Sequence, residues 1–277
     1  MVTVQKPASV VRVPQPLRTF VRTAALLTGL FVLPSAVLAY ADLLPRALDF
    51  GILDARAEID LPHVARQIAI GAPLRIVAFG SSSTEGVGAS TPANTYPARL
   101  QADLSAVLPR VAGGVTVLNR GIGGEHVDDM LRRLERDVIA AEPQLVIWQT
   151  GSNDPLRGVS IEHFREATRG AVRRMQEAGI DVVLMEPQWC PKLEATPGAG
   201  RFRDAVREIG AELDVLVIRR AELMHGWIRD GTLTHNQLFS ADGLHMADRG
   251  YALLAKAAAA AIIEDAGPVH VAEAVAE

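Results

Sequence analysis

Short apolar runs separated by amphipathic stretches dominate the chain from residue 73 onward. Five such runs are bounded by Gly, Pro or polar clusters, which is typical of buried strands; they cover residues 74–79, 115–118, 145–148, 182–185 and 215–218. After each of them, apolar residues recur at helical spacing, in residues 96–108, 127–140, 164–178, 202–213 and 247–266. Continuous apolar strands alternating with helices indicate a parallel sheet that is covered on both faces.

This alternation predicts an α/β fold of the doubly wound class, a three-layer α/β/α arrangement around a five-stranded parallel sheet. In open sheets of this kind, ligands bind outside the carboxyl ends of the strands. We therefore expect functional residues directly after strands one, two and three, and in a loop late in the chain. Residues 73–277 are assigned to this single domain, and residues 42–72 to a lead-in segment that packs on its outside.

Residues 1–41 follow a different pattern. They contain four basic residues and no acidic one, and residues 23–41 carry no charge. The stretch ends in Ala39-Tyr40-Ala41, which places small residues where signal peptidase cleaves. A basic start, an apolar centre and a small-residue site predict a signal peptide, and hence an exported protein that is periplasmic or secreted.

An uncleaved N-terminal anchor is the alternative for this segment, because its uncharged run approaches the ~20 residues that span a bilayer. Gly29 and Pro34 interrupt the run, which favours cleavage over anchoring in the inner membrane. Contact with a membrane is therefore expected only if the leader is retained.

Composition and charge exclude several classes of protein for this chain. Of the 277 residues, 49% are hydrophobic and 22% are charged, which is enough apolar material for a sizeable core. Cleavage after residue 41 would change the formal charge from −4 to −8. This acidity argues against a nucleic-acid partner, because phosphate binding needs clustered Lys and Arg. The single cysteine, Cys190, excludes an internal disulfide and a Cys-rich zinc module.

Four polar clusters lie where the fold predicts a site. Three follow strands one, two and three, and the fourth precedes the last helix; they are Gly80-Ser81-Ser82-Ser83-Thr84-Glu85-Gly86, Asn119-Arg120-Gly121-Ile122-Gly123-Gly124-Glu125, Gln149-Thr150-Gly151-Ser152-Asn153-Asp154-Pro155 and Asp242-Gly243-Leu244-His245. Taken singly, the first three also suit a helix cap, a Gly-rich turn and an ordinary Asp-Pro turn.

Two of these clusters contain residue types that are suited to catalysis. A serine on a tight strand-to-helix turn projects its hydroxyl at the edge of a sheet. An Asp three residues before a His can hold the imidazole in one tautomer, as in the orienting part of a catalytic triad. Asp60 and His63 have that same spacing, but they precede strand one, so we interpret them as surface residues.

The four clusters together resemble the four conserved blocks of the SGNH (GDSL-type) hydrolases, over residues 74–266. That resemblance implies a flavodoxin-like sheet and the hydrolysis of esters or thioesters, with acyl transfer in some members. By position, the residues that match the family's catalytic triad and oxyanion hole are Ser82 as nucleophile, His245 as base, Asp242 as its orienting partner, the backbone N–H groups of Ser82 and Gly124, and the side chain of Asn153.

One position departs from the family. Ser81 stands where the family usually has an Asp before its nucleophile, and this makes Ser81 and Ser83 rival nucleophiles. Alignment on Gly80 and on the Thr84-x-Gly86 pair favours Ser82.

The expected function is a serine-dependent hydrolase that acts on a small acyl, lipid or O-acetyl-sugar ester, with no metal and no organic cofactor. An O-acyltransferase that uses the same site and a catalytically inactive envelope binding protein are the alternatives. Trp189 and Phe239 are candidates for lining the substrate site, and ordinary packing is the competing interpretation for both.

Overall fold

The computed structural model describes residues 61–267, and the predicted leader, residues 1–41, lies outside the described residues. In chain order the helices and strands are α1 Pro62–Ile70, β1 Leu74–Gly80, α2 Ser82–Glu85, α3 Tyr96–Val107, β2 Val115–Gly121, α4 Val127–Leu131, α5 Leu134–Asp137, β3 Leu145–Gln149, α6 Ile161–Glu177, β4 Asp181–Met185, α7 Pro191–Glu194, α8 Ala199–Glu212, β5 Leu216–Ile218, α9 Arg220–Arg229, α10 His235–Leu238 and α11 Asp248–Asp265. Short 3₁₀ turns lie at Pro92–Asn94, Ile139–Ala141 and Pro155–Arg157.

All five predicted strands form one parallel sheet in the order β2-β1-β3-β4-β5. This confirms the predicted doubly wound fold, and the order is that of flavodoxin-like proteins. The order reverses between β1 and β3, which is the point where such sheets bind ligands.

Two hydrophobic cores lie on opposite faces of the sheet. Alternate residues of β1 face opposite sides, since Ile76 and Ala78 belong to one core and Val77 and Phe79 to the other. The first core is covered by α1, α3, α9 and α11, and the second by α4, α6 and α8. The sheet is therefore the middle layer of three, as its continuous apolar strands predict.

The lead-in contains a helix that joins the domain. In α1, Val64 is fully buried in the first core, and its backbone N–H donates to Asp181 Oδ2 at the amino end of β4. The neighbouring His63 is exposed at this end of the sheet, opposite the carboxyl ends of the strands. The proposed boundary at residue 73 stays a prediction, as does the leader.

The predicted helix over residues 127–140 is wrong as a single element. It is divided into α4, α5 and a 3₁₀ turn, and the break falls at Arg132 and Arg133. Arg133 points inward from the break and donates to the backbone carbonyls of Gly80 and Arg120. These hydrogen bonds satisfy a buried cation at the break between the two helices.

Candidate active site

The serine cluster forms a tight turn from β1 into α2. Gly80 is required there, because a Cβ at this position would lie 2.3 Å from Thr84 Oγ1 and 3.0 Å from the Cβ of Gln149. Ser82 is the first residue of α2, and the helix ends after one turn at Gly86, which has a φ of 104°. The turn thus brings Ser82 to the carboxyl edge of the sheet, beside the reversal point between β1 and β3.

Ser82 contacts a histidine from the far end of the chain. Its Oγ lies 2.8 Å from Nε2 of His245, and Nδ1 of the same ring lies 2.5 Å from Oδ2 of Asp242. The loop that carries both residues is closed by an antiparallel bridge between Phe239 and Met246, and α11 follows it. The structure therefore brings the three predicted triad residues into one hydrogen-bonded series.

The carboxylate of Asp242 is held ionised by its surroundings. Partial burial acts to raise its pKa, but hydrogen bonds from the His245 ring, the Ser240 hydroxyl and two backbone N–H groups outweigh burial. The net effect is a pKa well below the usual aspartate value. Asp242 is thus a negative charge beside the imidazole at neutral pH.

The two rival serines occupy different environments from Ser82. The Ser81 hydroxyl donates to Gln149 Oε1 at 3.0 Å, away from the histidine, and Ser81 is 2% exposed. Ser83 is 3% exposed and packs into the body of the protein. Of the three serines in the cluster, Ser82 is the one with a hydrogen bond to an imidazole among the described residues.

The Gly-rich loop after β2 and the loop after β3 meet beside Ser82. Gly124 has a φ of 79°, and a Cβ on the preceding Gly123 would lie 3.8 Å from the Cβ of Ser82. Asn153 Nδ2 donates 2.8 Å to the backbone carbonyl of Glu125. Within residues 61–267, the backbone N–H groups of Ser82 and Gly124 have no hydrogen-bond acceptor. These three predicted oxyanion donors are therefore close in the fold, and both N–H groups remain available.

Two arginines hold the Gly-rich loop. Arg133 is buried and donates to Glu125 Oε2 at 2.7 Å, to the Gly80 carbonyl at 3.0 Å and to the Arg120 carbonyl at 2.9 Å. It joins the ends of β1 and β2 to the loop between β2 and α4. Arg157 contacts the loop from the solvent side, where its Nη2 donates to the Gly124 carbonyl at 3.3 Å.

Asp154 has a larger role than the turn that the sequence suggests. It does begin the 3₁₀ turn at Pro155–Arg157, yet its side chain is fully buried and Oδ1 accepts the backbone N–H of Val127 at 2.9 Å. Burial raises the pKa of this carboxyl above its usual value. Asp154 therefore fixes the start of α4, and with it the end of the Gly-rich loop.

Trp189 and Phe239 lie together, close to the loop of Asp242 and His245. Their ring centroids are 5.6 Å apart, and Phe239 is buried in the first core. Trp189 is partly exposed, and its ring centroid lies 4.2 Å from that of His225. Both aromatic residues take part in packing, and a role in substrate binding stays a prediction.

Sequence reasoning missed several polar residues around the site. Gln149, Gln188 and Arg220 are buried behind the serine cluster. Ser152 connects the two glutamines by hydrogen bonds, and Arg220 donates to Gln188 directly. The burial of Arg133 and Arg220 could not be predicted, because most arginines are exposed to solvent. A single sequence gives no sign that a particular arginine points inward.

Neither a membrane span nor a metal cluster is found in the part of the chain that the structure describes. No helix within residues 61–267 is both long and apolar enough to cross a bilayer. In the same residues, no three His, Cys, Asp or Glu side chains are grouped so that they could hold a metal ion. Cys190 is buried, and burial raises the pKa of its thiol.

Comparison with known proteins agrees with this geometry. The model of the Non-GDSL lipase-like family matches residues 52–268. The acetylxylan esterase of Geobacillus stearothermophilus is 28% identical over 153 residues, which cover 50% of this chain and 69% of the esterase. The uncharacterized lipoprotein YqeF of Bacillus subtilis is 25% identical over 206 residues, 63% of this chain and 84% of YqeF.

A solved structure shares the fold as well. The lipase/acylhydrolase from Enterococcus faecalis superposes with a TM-score of 0.57 at 25% identity, over 70% of this chain and 96% of that one. The fold and the comparisons define an SGNH/GDSL-type hydrolase, an enzyme that hydrolyses esters. Within that class, the chain belongs to the Non-GDSL lipase-like family.

Proposed function

We propose that this enzyme hydrolyses a carboxylic ester or thioester through an acyl-enzyme formed on Ser82. The observation that carries the proposal is the series from Ser82 Oγ to His245 Nε2, at 2.8 Å, and from His245 Nδ1 to Asp242 Oδ2, at 2.5 Å. A hydroxyl, an imidazole and an ionised carboxylate in this order are the parts of a catalytic triad.

Acylation begins when Ser82 Oγ attacks the carbonyl carbon of the ester while His245 Nε2 takes the hydroxyl proton. The π electron pair of the carbonyl moves to its oxygen, and a tetrahedral intermediate results. The intermediate collapses with loss of the alcohol, which takes its proton from His245. Asp242 holds the ring with Nδ1 protonated and stabilises the imidazolium formed in the first step.

The negative oxygen of the intermediate needs hydrogen-bond donors. The free backbone N–H groups of Ser82 and Gly124 and the remaining N–H of the Asn153 amide are assigned this role, each contributing about 3–4 kcal/mol in the transition state. Water then attacks the acyl-enzyme with His245 as general base, and Ser82 is regenerated with release of the acid. None of these steps uses a metal or an organic cofactor.

The rim of the site favours an apolar acyl group. Three large hydrophobic side chains are exposed within residues 61–267, namely Ile70 at 64%, Val87 at 38% and Ile122 at 43%. The backbone N–H of Val87 donates to the carbonyl of Ser82, and that of Ile122 to the carbonyl of Gly80. Two of the three therefore belong to residues whose backbone is hydrogen-bonded to the nucleophile turn, and we assign them to the rim of the site, where an acyl chain can cover them.

Export is part of the proposal. The pattern of residues 1–41 predicts a signal peptide or an anchor, and one relative is a Bacillus lipoprotein. Transfer of the acyl group to a sugar hydroxyl instead of water uses the same intermediate. It is separated from hydrolysis by analysing the products with and without a sugar acceptor such as xylose.

The test is the variant Ser82→Ala. We expect it to lose hydrolysis of p-nitrophenyl acetate and covalent labelling by a fluorophosphonate, while its thermal unfolding stays that of the wild-type protein. Full labelling of this variant at Ser81 or Ser83 would overturn the assignment of the nucleophile. Absence of any hydrolysis by the wild-type enzyme on a series of acyl esters would favour an inactive binding protein.

A further inference from the structure

The buried side chain of Gln149 receives the hydrogen bonds of the nucleophile turn. Its Oε1 accepts the backbone N–H of Ser81 at 3.0 Å, the Ser81 hydroxyl at 3.0 Å and the Thr84 hydroxyl at 3.4 Å. These donors lie directly before Ser82 and two residues after it. One amide oxygen therefore sets the path of the backbone on both sides of the nucleophile.

The direction of the Gln149 amide is determined at a distance by Arg220. An arginine has only donors, so the Gln188 atom that lies 2.8 Å from Arg220 Nη2 must be the oxygen. The Ser152 hydroxyl lies 2.9 Å from that oxygen and donates to it, which leaves the Ser152 oxygen free to accept from Gln149 Nε2 at 3.0 Å. The opposite end of the amide, Oε1, then faces Ser81.

We propose that Gln149 is the positioning residue for Ser82, and that Arg220 fixes the orientation of its amide through Gln188 and Ser152. The proposal rests on the role of Ser82 given above. Ser81, which stands where the SGNH family usually has an Asp, is joined to the sheet through the hydrogen bonds of its own N–H and hydroxyl to Gln149 Oε1.

The cation is suited to this task. Arg220 is fully buried, and its Nε donates to the Glu186 carbonyl at 3.1 Å. Burial lowers its pKa to about 10, so it remains protonated at neutral pH. Arg220 donates to Gln188 Oε1 and to the Ser152 hydroxyl oxygen, the Ser152 hydroxyl donates to Gln188 Oε1, and Gln149 Nε2 donates to Ser152. Reversal of either amide would therefore bring two donors face to face.

The middle of the series is the place to break it. The full-chain variant Ser152→Ala removes the hydroxyl that connects the two glutamines, without adding bulk or charge. We expect kcat for p-nitrophenyl acetate to fall about 10–100-fold with KM within about twofold, because a displaced nucleophile affects the reaction more than binding. The rate of inactivation by a fluorophosphonate falls in parallel, and Ser152→Thr, which keeps the hydroxyl, restores both.

The matched control is Thr168→Val on α6. Thr168 is fully buried, and its hydroxyl has no hydrogen-bond partner among the described residues, so the change removes a buried hydroxyl outside the series. We expect it to leave kcat unchanged. If Ser152→Ala does not fold, Gln149→Met provides the same comparison against this control.

The proposal is overturned if a folded Ser152→Ala or Gln149→Met variant keeps kcat within about twofold of wild type. It is also overturned if Thr168→Val lowers kcat as much as Ser152→Ala does. Both results leave Ser82 as the nucleophile, provided that the wild-type enzyme is labelled at Ser82. Failure of the wild-type enzyme to be labelled there would instead reject the proposed function.

Discussion

The side-chain amide of Asn153 and the backbone carbonyl of Glu125 are joined by a hydrogen bond of 2.8 Å. Asn153 follows β3 and Glu125 follows β2, so the bond ties two loops that leave different strands. A side-chain amide has two N–H donors, and this bond uses one of them. The other is the donor that we assign to the substrate oxyanion.

Asn153→Ala is expected to lower kcat about 10²–10³-fold with a small change in KM, because it removes a donor that acts chiefly in the transition state. Steady-state kinetics with p-nitrophenyl acetate measure both constants. Arg157→Ala is the control, because Arg157 contacts the same loop at the Gly124 carbonyl from the solvent side. If the two variants lose activity equally, holding the loop would account for the effect and the donor role would be rejected.

Asp242→Asn tests the orienting carboxylate. The amide of asparagine offers a donor where Oδ2 now accepts from His245 Nδ1, so the imidazole is no longer held in the tautomer that can take the Ser82 proton. We expect kcat to fall about 10³–10⁴-fold at neutral pH. If steady-state kinetics showed that kcat falls less than tenfold, His245 would not need Asp242 to act as the base.

The apolar rim should determine preference for the length of the acyl chain. Val87→Thr and Ile122→Thr each replace an exposed apolar group, on a residue whose backbone is hydrogen-bonded to the nucleophile turn, with a polar one, at little cost in volume for Val87. The ratio of kcat/KM for p-nitrophenyl butyrate to that for the acetate should fall about three- to tenfold, since each buried methylene contributes about 0.8 kcal/mol. Ile70→Thr, remote from the site, should leave the ratio unchanged; an equal fall there would contradict the assignment.

Asp154 should make stability depend on pH in a defined direction. Because burial raises its folded-state pKa, the folded protein favours the protonated carboxyl, and stability is lost as pH rises from the unfolded value through the folded one. The variant Asp154→Asn has no carboxyl group to titrate at this position, so it does not lose stability in this way. Its amide oxygen can still accept the Val127 N–H. Its Tm relative to wild type should therefore increase between pH 4 and 7.

A difference of 1 kcal/mol in stability corresponds to about 2–4 °C in Tm for a domain of this size. Thermal unfolding of both proteins in the same buffers measures the difference, and all other groups cancel in the comparison. A Tm difference that stays constant or decreases over this range would mean that the pKa of Asp154 is not raised in the folded state.

Much of the fold could be predicted from the sequence, because it depends on signals that are local. Each strand is a continuous apolar run between turn residues, and all five lie within three residues of their predicted ends. The short polar clusters after β1, β2 and β3 also follow from the chain itself, because parallel strands end at one edge. The roles of Ser82, Asp242 and His245 depended on the family resemblance in addition to spacing.

What the sequence did not reveal depends on contacts between distant residues. Arg220 and Arg133 have the same local signature as surface arginines, yet one contacts Gln188 and the other Gly80, residues far away in the chain. The helix α9 was missed for a related reason, because it begins with Arg220 and its apolar face starts from a charged residue. Similarly, the burial of Asp154 becomes evident only when Val127 lies beside it.

The two hydrophobic cores, separated by the sheet, contribute different parts of the proposed catalytic apparatus. The loop of Asp242 and His245 lies between α10 and α11, which pack in the first core, whereas the Gly124 loop leads into α4, which packs in the second. Activation of the nucleophile and stabilisation of the oxyanion thus depend on separate packing units. If either unit loosens first, one part of the site is displaced while the other keeps its structure, and we expect inactivation on heating to precede the loss of the fold.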